Sequence, residues 1–273
     1  MRIAQYYQDN DIRLGIIHNN EHLTPIDFQG DMMDFIEDAP AYKHVGSPIP
    51  LDEVSFAPPV SQPPKIIAIG LNYSEHIKEG HAKAPKNPVV FSKLLNSLTG
   101  HKAQITWNPA LTNEVDFEAE LAVIIGKKSH GGQQKDIMDI VFGYTCGNDV
   151  SARNLQFGDR QWVRGKSLDT FCPLGPWIVT RDEIPDPNAL EIKSWLNGEL
   201  MQSSNTSQMI FNIPSLLTFL SKSFTLTPGD VIMTGTPDGV GAFRDPPIYM
   251  KEGDEIIIDI GSIGKLENTC KTL

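Results

Sequence analysis

The sequence lacks the features that mark several large classes of protein. It contains only three cysteines, Cys146, Cys172 and Cys270, which are far apart and odd in number, so neither a disulfide framework nor a paired-cysteine zinc site is indicated. Its first twenty residues hold no continuous apolar segment of the signal-peptide type. No run approaches the roughly 18 apolar residues of a membrane span. We therefore expect a cytoplasmic protein with no membrane partner.

Positive charge is also scarce. Lysine and arginine together number 23 against 34 aspartates and glutamates, which gives a formal net charge of -11. Nucleic acids and anionic membrane surfaces are polyanions, so an acidic protein binds them poorly. This charge favours a small molecule or a cation as the partner, and no nucleic-acid partner is expected.

Common catalytic motifs are missing as well. The GxSxG signature of many serine hydrolases is absent. The glycine-rich segment from Thr234 to Gly241 lacks the GxxxxGK(S/T) spacing of a phosphate-binding loop. Two interpretations of this segment stay open: a tight turn between strands, or a turn whose free backbone amides hold an anion.

The composition that remains predicts a packed protein in two parts. Hydrophobic residues make up 40% of the chain, enough for a sizeable core. Residues 2–28 read as short strands broken by turns, and MMDFIEDAP predicts a brief helix that Pro40 stops. Prolines clustered between Gly46 and Pro64 predict a stiff connector. We therefore predict a small N-terminal β-rich domain with its connector at 1–62 and a larger domain at 63–273.

Strands predominate beyond residue 62. Apolar runs bounded by turn residues predict strands at KIIAIG, PVVFSK and VFGYTCGND. Helices are predicted within LNYSEHIKEGHAKAP, ending at Pro85, within SARNLQFGDRQ, capped by Asp149 or Ser151, and at 212–222. Few helices among many strands predict an α+β fold of packed or rolled sheets.

The run VDFEAELAVIIG at residues 115–126 alternates apolar and acidic side chains. Side chains two apart on a strand point the same way, so Asp116, Glu118 and Glu120 would share one face. Like charges this close repel unless a cation neutralises them, and carboxylate oxygens suit Mg2+, Mn2+ or Ca2+. A metal site is one interpretation; a half-exposed strand with a solvated acidic face is the other.

Further candidates for chemistry lie on either side of this run. Glu79 stands three residues after His76, where on a helix it could orient the imidazole as a general base, although a solvated helix surface has the same pattern. Asp149 ends a predicted strand and could cap a helix or reach a metal held by a neighbouring strand. Arg153 has the planar fork that suits a substrate carboxylate, whereas Lys166 could be an ordinary surface lysine.

The order of the motifs is more specific than any one of them. It runs GLNYSEHIKEG, VDFEAELAVIIG, GYTCGNDVSARNLQ, RGKSLDTFCPLGPWIV, PGDVIMTGTPDGVG and finally EGDEIIIDIGSIGKLENTC. In this order the motifs resemble the fumarylacetoacetate hydrolase family over residues 62–273. The resemblance implies a mixed β-roll or sandwich and a homodimer. The N-terminal part is similar to the variable domain of many bacterial members.

The resemblance implies a metal centre. Glu118, Glu120 and Asp149 match the ligands of one Mg2+ or Mn2+ ion, with Ca2+ also admitted, and Asp116 matches an acidic position outside that set. The larger fumarylacetoacetases carry a further aspartate ligand before the catalytic histidine, whereas residues 65–113 contain no aspartate. The chain is therefore more similar to the smaller bacterial and organellar members. No organic cofactor is expected.

The resemblance also implies catalytic roles. His76 and Glu79 match the catalytic pair, on a segment that closes as a lid in relatives, and Lys166 matches the lysine that reaches the substrate oxygens. Substrate-binding positions are matched by Arg153, Gln156 and Thr236.

Several reactions are compatible with such a site. The main expectation is hydrolysis of a carbon-carbon bond in an acylpyruvate or fumarylpyruvate, a 2,4-dioxo acid, with the metal stabilising the enolate and His76 activating water. The alternatives on the same site are oxaloacetate decarboxylation or tautomerisation and isomerisation of 2-hydroxyhepta-2,4-diene-1,7-dioate. A protein of another class, which binds a keto acid without turning it over, is the third interpretation.

Overall fold

The computed structural model describes residues 1–9, 11–38, 41–131 and 136–273. Its first elements are β1 (Arg2–Gln8), β2 (Asp11–His18), β3 (His22–Pro25), α1 (Met32–Asp38) and β4 (Ile49–Pro50). The short strands predicted within residues 2–28 are confirmed as three antiparallel neighbours. The helix predicted from MMDFIEDAP ends at Asp38, and Pro40, its predicted stop, lies outside the described residues.

The next elements carry most of the motifs. They are β5 (Ile66–Gly70), α2 (Ser74–Glu79), β6 (Val89–Lys93), β7 (Leu98–Thr99), β8 (Gln104–Trp107), β9 (Val115–Asp116), β10 (Ala119–Ile125), β11 (Val141–Asn148), β12 (Ser151–Ala152), α3 (Arg153–Gly158) and α4 (Val163–Lys166). The strands predicted at KIIAIG, PVVFSK and VFGYTCGND are confirmed. The prediction that the helix before Pro85 reaches that residue is wrong, because α2 ends at Glu79 and His81 turns the chain with a φ of 50°.

The remaining elements complete the sheets. They are β13 (Cys172–Thr180), β14 (Glu191–Leu196), β15 (Glu199–Asn205), α5 (Ile213–Ser223), β16 (Val231–Met233), β17 (Glu255–Ile260) and β18 (Gly264–Thr272). The helix predicted at 212–222 is confirmed as α5. The side chain of Asn212 caps it by accepting from the backbone amide of Ser215, and Pro214 lies in its first turn.

Two sheets form the body of the protein. One has eleven strands in the order β4-β3-β2-β1-β13-β11-β10-β16-β5-β6, with β7 beside β13, and the other has five in the order β15-β14-β17-β18-β8. The N-terminal strands continue the larger sheet because β1 pairs with β13. The proline-rich segment is packed, with Ala57 and Val60 fully buried. A boundary at residue 62 stays a prediction, and the strand-rich α+β fold is confirmed.

The larger sheet is buried on both faces around β10. Leu121 and Val123 pack in one core with Ile258 of the five-stranded sheet, whereas Ala122 packs in a second core with Phe35 of α1. All seven residues of β10 are buried. A strand covered on both faces is a nearly continuous apolar run, and this one carries its acidic N-terminal end into the protein interior.

Candidate active site

Three buried carboxylates converge where β10 and β11 pair. Glu118 precedes β10, Glu120 is its second residue, and Asp149 directly follows β11, the antiparallel neighbour of β10. Their side chains each offer one oxygen, and these oxygens lie within 4.8 Å of one another. Oxygen donors alone suit Mg2+, Mn2+ or Ca2+ better than zinc. The cluster consists of the three residues that the resemblance implies as metal ligands.

The charges of this cluster are unequally compensated. Burial raises the pKa of Glu120 well above its usual range, and repulsion from Asp149 and Glu118 raises it further. Burial opposes the ionisation of Glu118 too, but Lys166 and Arg153 lower its pKa to about 2. Glu120 is therefore the carboxylate that the protein's own cations neutralise least. The donor atoms and this charge deficit both fit a divalent cation.

The acidic residues do not form the single row that strand periodicity predicted. The run leaves β geometry after Asp116 and resumes it at Ala119, so the alternation of faces is interrupted. The half-exposed interpretation is wrong, because all three acidic residues are at least nine-tenths buried. Asp116 instead accepts hydrogen bonds from the backbone amides of Gly241 and Ala242, at 2.8 and 2.9 Å.

Two buried lysines hold Asp149. Lys166 Nζ lies 2.7 Å from Asp149 Oδ2 and 2.7 Å from Glu118 Oε2, so it is not a surface lysine. Lys93, at the end of β6, hydrogen-bonds the other oxygen of Asp149. Lys93 was not predicted from the sequence, where its only signal was a lysine closing an apolar strand. The prediction that Asp149 or Ser151 caps a helix is wrong, since α3 begins without a side-chain cap.

His76 and Glu79 form the predicted pair on α2. His76 Nδ1 lies 2.7 Å from Glu79 Oε1, and Glu79 Oε2 accepts from the amide of Gly239 at 2.8 Å. Glu79 accepting from Nδ1–H leaves Nε2 as the basic nitrogen of the imidazole. The His76 side chain is buried and borders the same cavity as the carboxylate cluster.

The glycine-rich segment is a turn whose amides hold anions, and the anions are the protein's own carboxylates. The amides of Gly235, Gly239 and Gly241 donate to Glu120, Glu79 and Asp116 respectively, each at 2.8 Å. Gly235 and Gly239 have φ of 99° and 96°, which favour glycine. This one short segment therefore positions three side chains: Glu120, a predicted metal ligand; Glu79, which orients His76; and Asp116.

The predicted substrate-binding residues lie at the cavity, and the guanidinium of Arg153 already pairs with carboxylates of the protein. Its Nη2 lies 2.7 Å from Asp116 Oδ2 and its Nη1 lies 2.7 Å from Glu118 Oε1 and 2.8 Å from Gln156 Oε1. Thr236 Oγ1 accepts from Gln202 Nε2 at 2.8 Å. A substrate carboxylate that contacted Arg153 would share the guanidinium with protein carboxylates.

One cavity of about 190 Å³ brings the candidates together. Eight of the nine predicted site residues line it, and the ninth, Glu79, hydrogen-bonds His76. Most of the apolar lining was not predicted from the sequence. It comes from separate segments and includes Leu71, Phe91, Phe157, Trp162 and Phe243.

Most of the chain matches one known protein family. The model of the family described as fumarylacetoacetate (FAA) hydrolase, C-terminal, matches residues 65–271. The chain belongs to this family. It is 47% identical over 221 residues to the rat oxaloacetate tautomerase Fahd2a, mitochondrial, covering 81% of this chain and 70% of that protein. It is 46% identical over 222 residues to the human oxaloacetate tautomerase FAHD2A, mitochondrial, again covering 81% and 70%.

Solved structures of the family have the same fold. A fumarylacetoacetate hydrolase from Exiguobacterium antarcticum is 36% identical, with a TM-score of 0.91 and full coverage of both chains. A 2-hydroxyhepta-2,4-diene-1,7-dioate isomerase from Mycobacterium marinum is 34% identical, with a TM-score of 0.82 over 100% of this chain and 98% of that one. Within the described part of the chain, no helix has the length and apolar character needed to cross a membrane.

Glu120→Gln tests both the stability cost of ionising the buried Glu120 and its proposed role as a metal ligand. The folded pKa of Glu120 is raised, so its stabilising contribution is complete below its unfolded pKa of 4.5 and is lost as the pH rises. In chelator, the Tm of the wild type should therefore fall more than that of the variant between about pH 5 and 8. Mn2+ should raise the Tm of the wild type but not that of Glu120→Gln.

The matched control for this experiment is Glu199→Gln, at an exposed glutamate. It should behave as the wild type does in differential scanning calorimetry, with and without the metal. An equal Mn2+-induced rise in Tm for the wild type and Glu120→Gln would contradict the ligand assignment.

Asp116→Asn should destabilise the fold strongly. The asparagine side chain carries no charge, so Arg153 would lose part of its buried ion pair. The asparagine NH2 group could also face the N–H groups of Gly241 and Ala242. We expect the free energy of unfolding to fall by about 3–5 kcal/mol. Urea denaturation measures it. Asp159→Asn is the control, because Asp159 makes a similar pair with Arg164 at the surface and should change stability little. Equal losses in the two variants would contradict the anchoring role of Asp116.

Proposed function

We propose that this protein catalyses metal-dependent keto–enol tautomerisation of oxaloacetate or a closely related 2-oxo acid. The observation that carries the proposal is the meeting of the His76–Glu79 pair, Lys166 and the carboxylate cluster at one cavity. The relatives named oxaloacetate tautomerase support this reaction over the carbon-carbon hydrolysis that was the main expectation from the sequence.

The reaction requires a proton to leave C3 of the oxo acid and a proton to reach O2. A divalent ion held by Glu118, Glu120 and Asp149, when bound, supplies positive charge that stabilises negative charge developing on the substrate oxygens. The ion that we propose is Mg2+ or Mn2+.

The protein's own residues move and orient the protons. His76 takes the proton from C3 at Nε2, while Glu79 holds Nδ1–H and stabilises the imidazolium. Burial lowers the pKa of Lys166, but Asp149 and Glu118 more than offset this, so the side chain remains an ammonium group. Lys166 donates a hydrogen bond to O2 as negative charge develops there, and the proton that His76 took from C3 is delivered to O2, which completes the enol and returns the imidazole to its neutral form.

Carbon-carbon hydrolysis is the second candidate, and one observation favours it. The His76–Glu79 pair has the arrangement of a general base for water, a role that hydrolysis needs and decarboxylation does not. Hydrolysis of an acylpyruvate would yield pyruvate and a carboxylic acid. Chromatographic detection of these two products, without comparable acceleration of oxaloacetate tautomerisation, would replace the first proposal with the second.

Other parts of the functional description stay predictions from the sequence. They are a homodimer, a cytoplasmic location and Arg153, Gln156 and Thr236 as contacts of a small 2-oxo acid. The rat and human oxaloacetate tautomerases are named as mitochondrial proteins.

His76→Ala should lower kcat for oxaloacetate tautomerisation by about 10²–10⁴-fold, because a positioned base contributes a factor of this size. The assay follows the enol absorbance in Mn2+, with the spontaneous rate subtracted. The variant should keep the Mn2+-induced rise in Tm, since His76 is not a proposed ligand. His22→Ala, at an exposed histidine, is the control. Full activity in His76→Ala would refute the base assignment, and an inactive metal-loaded wild type would refute the tautomerase proposal.

A further inference from the structure

The cavity has a second, chemically different part beside its polar residues. Its aromatic wall consists of Phe91, Phe157, Trp162 and Phe243. The wall begins where the polar groups end, because Lys166 Nζ lies 5.5 Å from the centre of the Phe91 ring and the Arg153 guanidinium lies 5.9 Å from that of Phe243. A ligand held by the polar residues would therefore have aromatic rings next to it.

The aromatic wall includes apolar surface that the fold itself does not bury. Phe157 is 60% exposed although its ring stacks on Phe243, with centroids 6.4 Å apart and planes at 29°. Leu71, which also lines the cavity, has a φ of 55°, where a leucine is strained. Exposed apolar surface and local strain beside a cavity are typical of a site that an apolar ligand covers.

The other pair of rings is held in place by close packing. Trp162 and Phe91 meet edge to face, with centroids 5.4 Å apart and planes at 74°. The indole covers Gly70 so closely that a Cβ at that position would lie 2.3 Å from it. These contacts give the cavity flat, preorganised apolar surfaces, which suit a planar group.

The buried charges suit the oxo-acid head of a ligand. Around the cluster lie four buried carboxyl groups and three buried cations: Asp116, Glu118, Glu120 and Asp149 beside Lys93, Arg153 and Lys166. A divalent ion bound there would add positive charge, which attracts an anionic head. The aromatic wall itself contains no charged residue.

We propose that the site also accepts monoanionic 2-oxo acids that carry a planar apolar group, such as an aryl ring, on C3. This inference rests on the proposed function, since the oxo-acid head occupies the same polar residues. The planar group lies against the aromatic wall and covers Phe157. A four-carbon acid such as oxaloacetate uses only the polar part, so the two substrate classes share one reaction but differ in their dependence on Phe157.

A binding experiment tests this without turnover. Oxamate and N-phenyloxamate share the oxo-acid head and differ by a phenyl ring, and neither can enolise at carbon. In isothermal titration calorimetry with the Mn2+-loaded protein, N-phenyloxamate should bind at least about tenfold more tightly, as burial of an aromatic ring predicts. Phe157→Ala should reduce this advantage about threefold or more while leaving oxamate affinity unchanged.

Phe224→Ala is the matched control, because Phe224 is also exposed, at 44%, and lies outside the cavity. It should keep the wild-type advantage. Equal affinities of the two probes for the wild type, or an advantage unchanged in Phe157→Ala, would overturn the inference. Failure of both probes to bind would count against the 2-oxo acid site itself and would remove this inference with it.

Activity provides the second readout. The Mn2+-loaded enzyme should accelerate ketonisation of the phenylpyruvate enol, and Phe157→Ala should raise KM for phenylpyruvate about threefold or more without raising KM for oxaloacetate. Turnover of oxaloacetate with none of phenylpyruvate would overturn the aryl class and leave the tautomerase proposal standing. Equal increases in both KM values would show that Phe157 shapes the whole site and does not select the planar group.

Discussion

Burial of mutually repelling carboxylates is the constraint on which the rest of the site depends. The covered sheet carries Glu118 and Glu120 into the interior, where Asp149 joins them and all three side chains are almost withdrawn from solvent. Lys93, Lys166 and Arg153 neutralise part of it. The remaining deficit makes the cluster suited to a divalent ion, and hence to chemistry in which negative charge develops on a substrate oxygen.

The glycine-rich turn joins this charge cluster to the proposed proton-transfer pair. Its amides hold a cluster member, Glu120, and the residue that orients His76, Glu79. A third contact, to Asp116, ties the same turn to the guanidinium of Arg153. Binding of a ligand at the carboxylates and orientation of the base therefore depend on one segment of backbone, whose positive φ values require glycine at two positions.

Local sequence patterns predicted the secondary-structure elements better than they predicted contacts between remote segments. Helix α5 and the strands around the motifs followed from periodicity and turn residues, because these depend on neighbours in the chain. The face on which Asp116 lies was not predicted correctly. The run at 115–126 leaves β geometry after Asp116, whose carboxylate accepts hydrogen bonds from backbone amides more than a hundred residues away in sequence. Lys93 was missed for the same reason: its partner, Asp149, follows another strand, β11, and is remote in sequence. The aromatic wall combines residues from three separate segments, at Phe91, at Phe157 and Trp162, and at Phe243.

The sequence by itself determined the family, the strand-rich fold class and the residue types available for oxo-acid chemistry, because motif order and residue chemistry are properties of the chain. It also indicated that the turn at 234–241 could hold an anion. Only the tertiary structure decided which anions those are, how Asp149 is held and which rings border the polar groups. Such pairings depend on distances between segments that are remote in sequence, and no local periodicity encodes these distances.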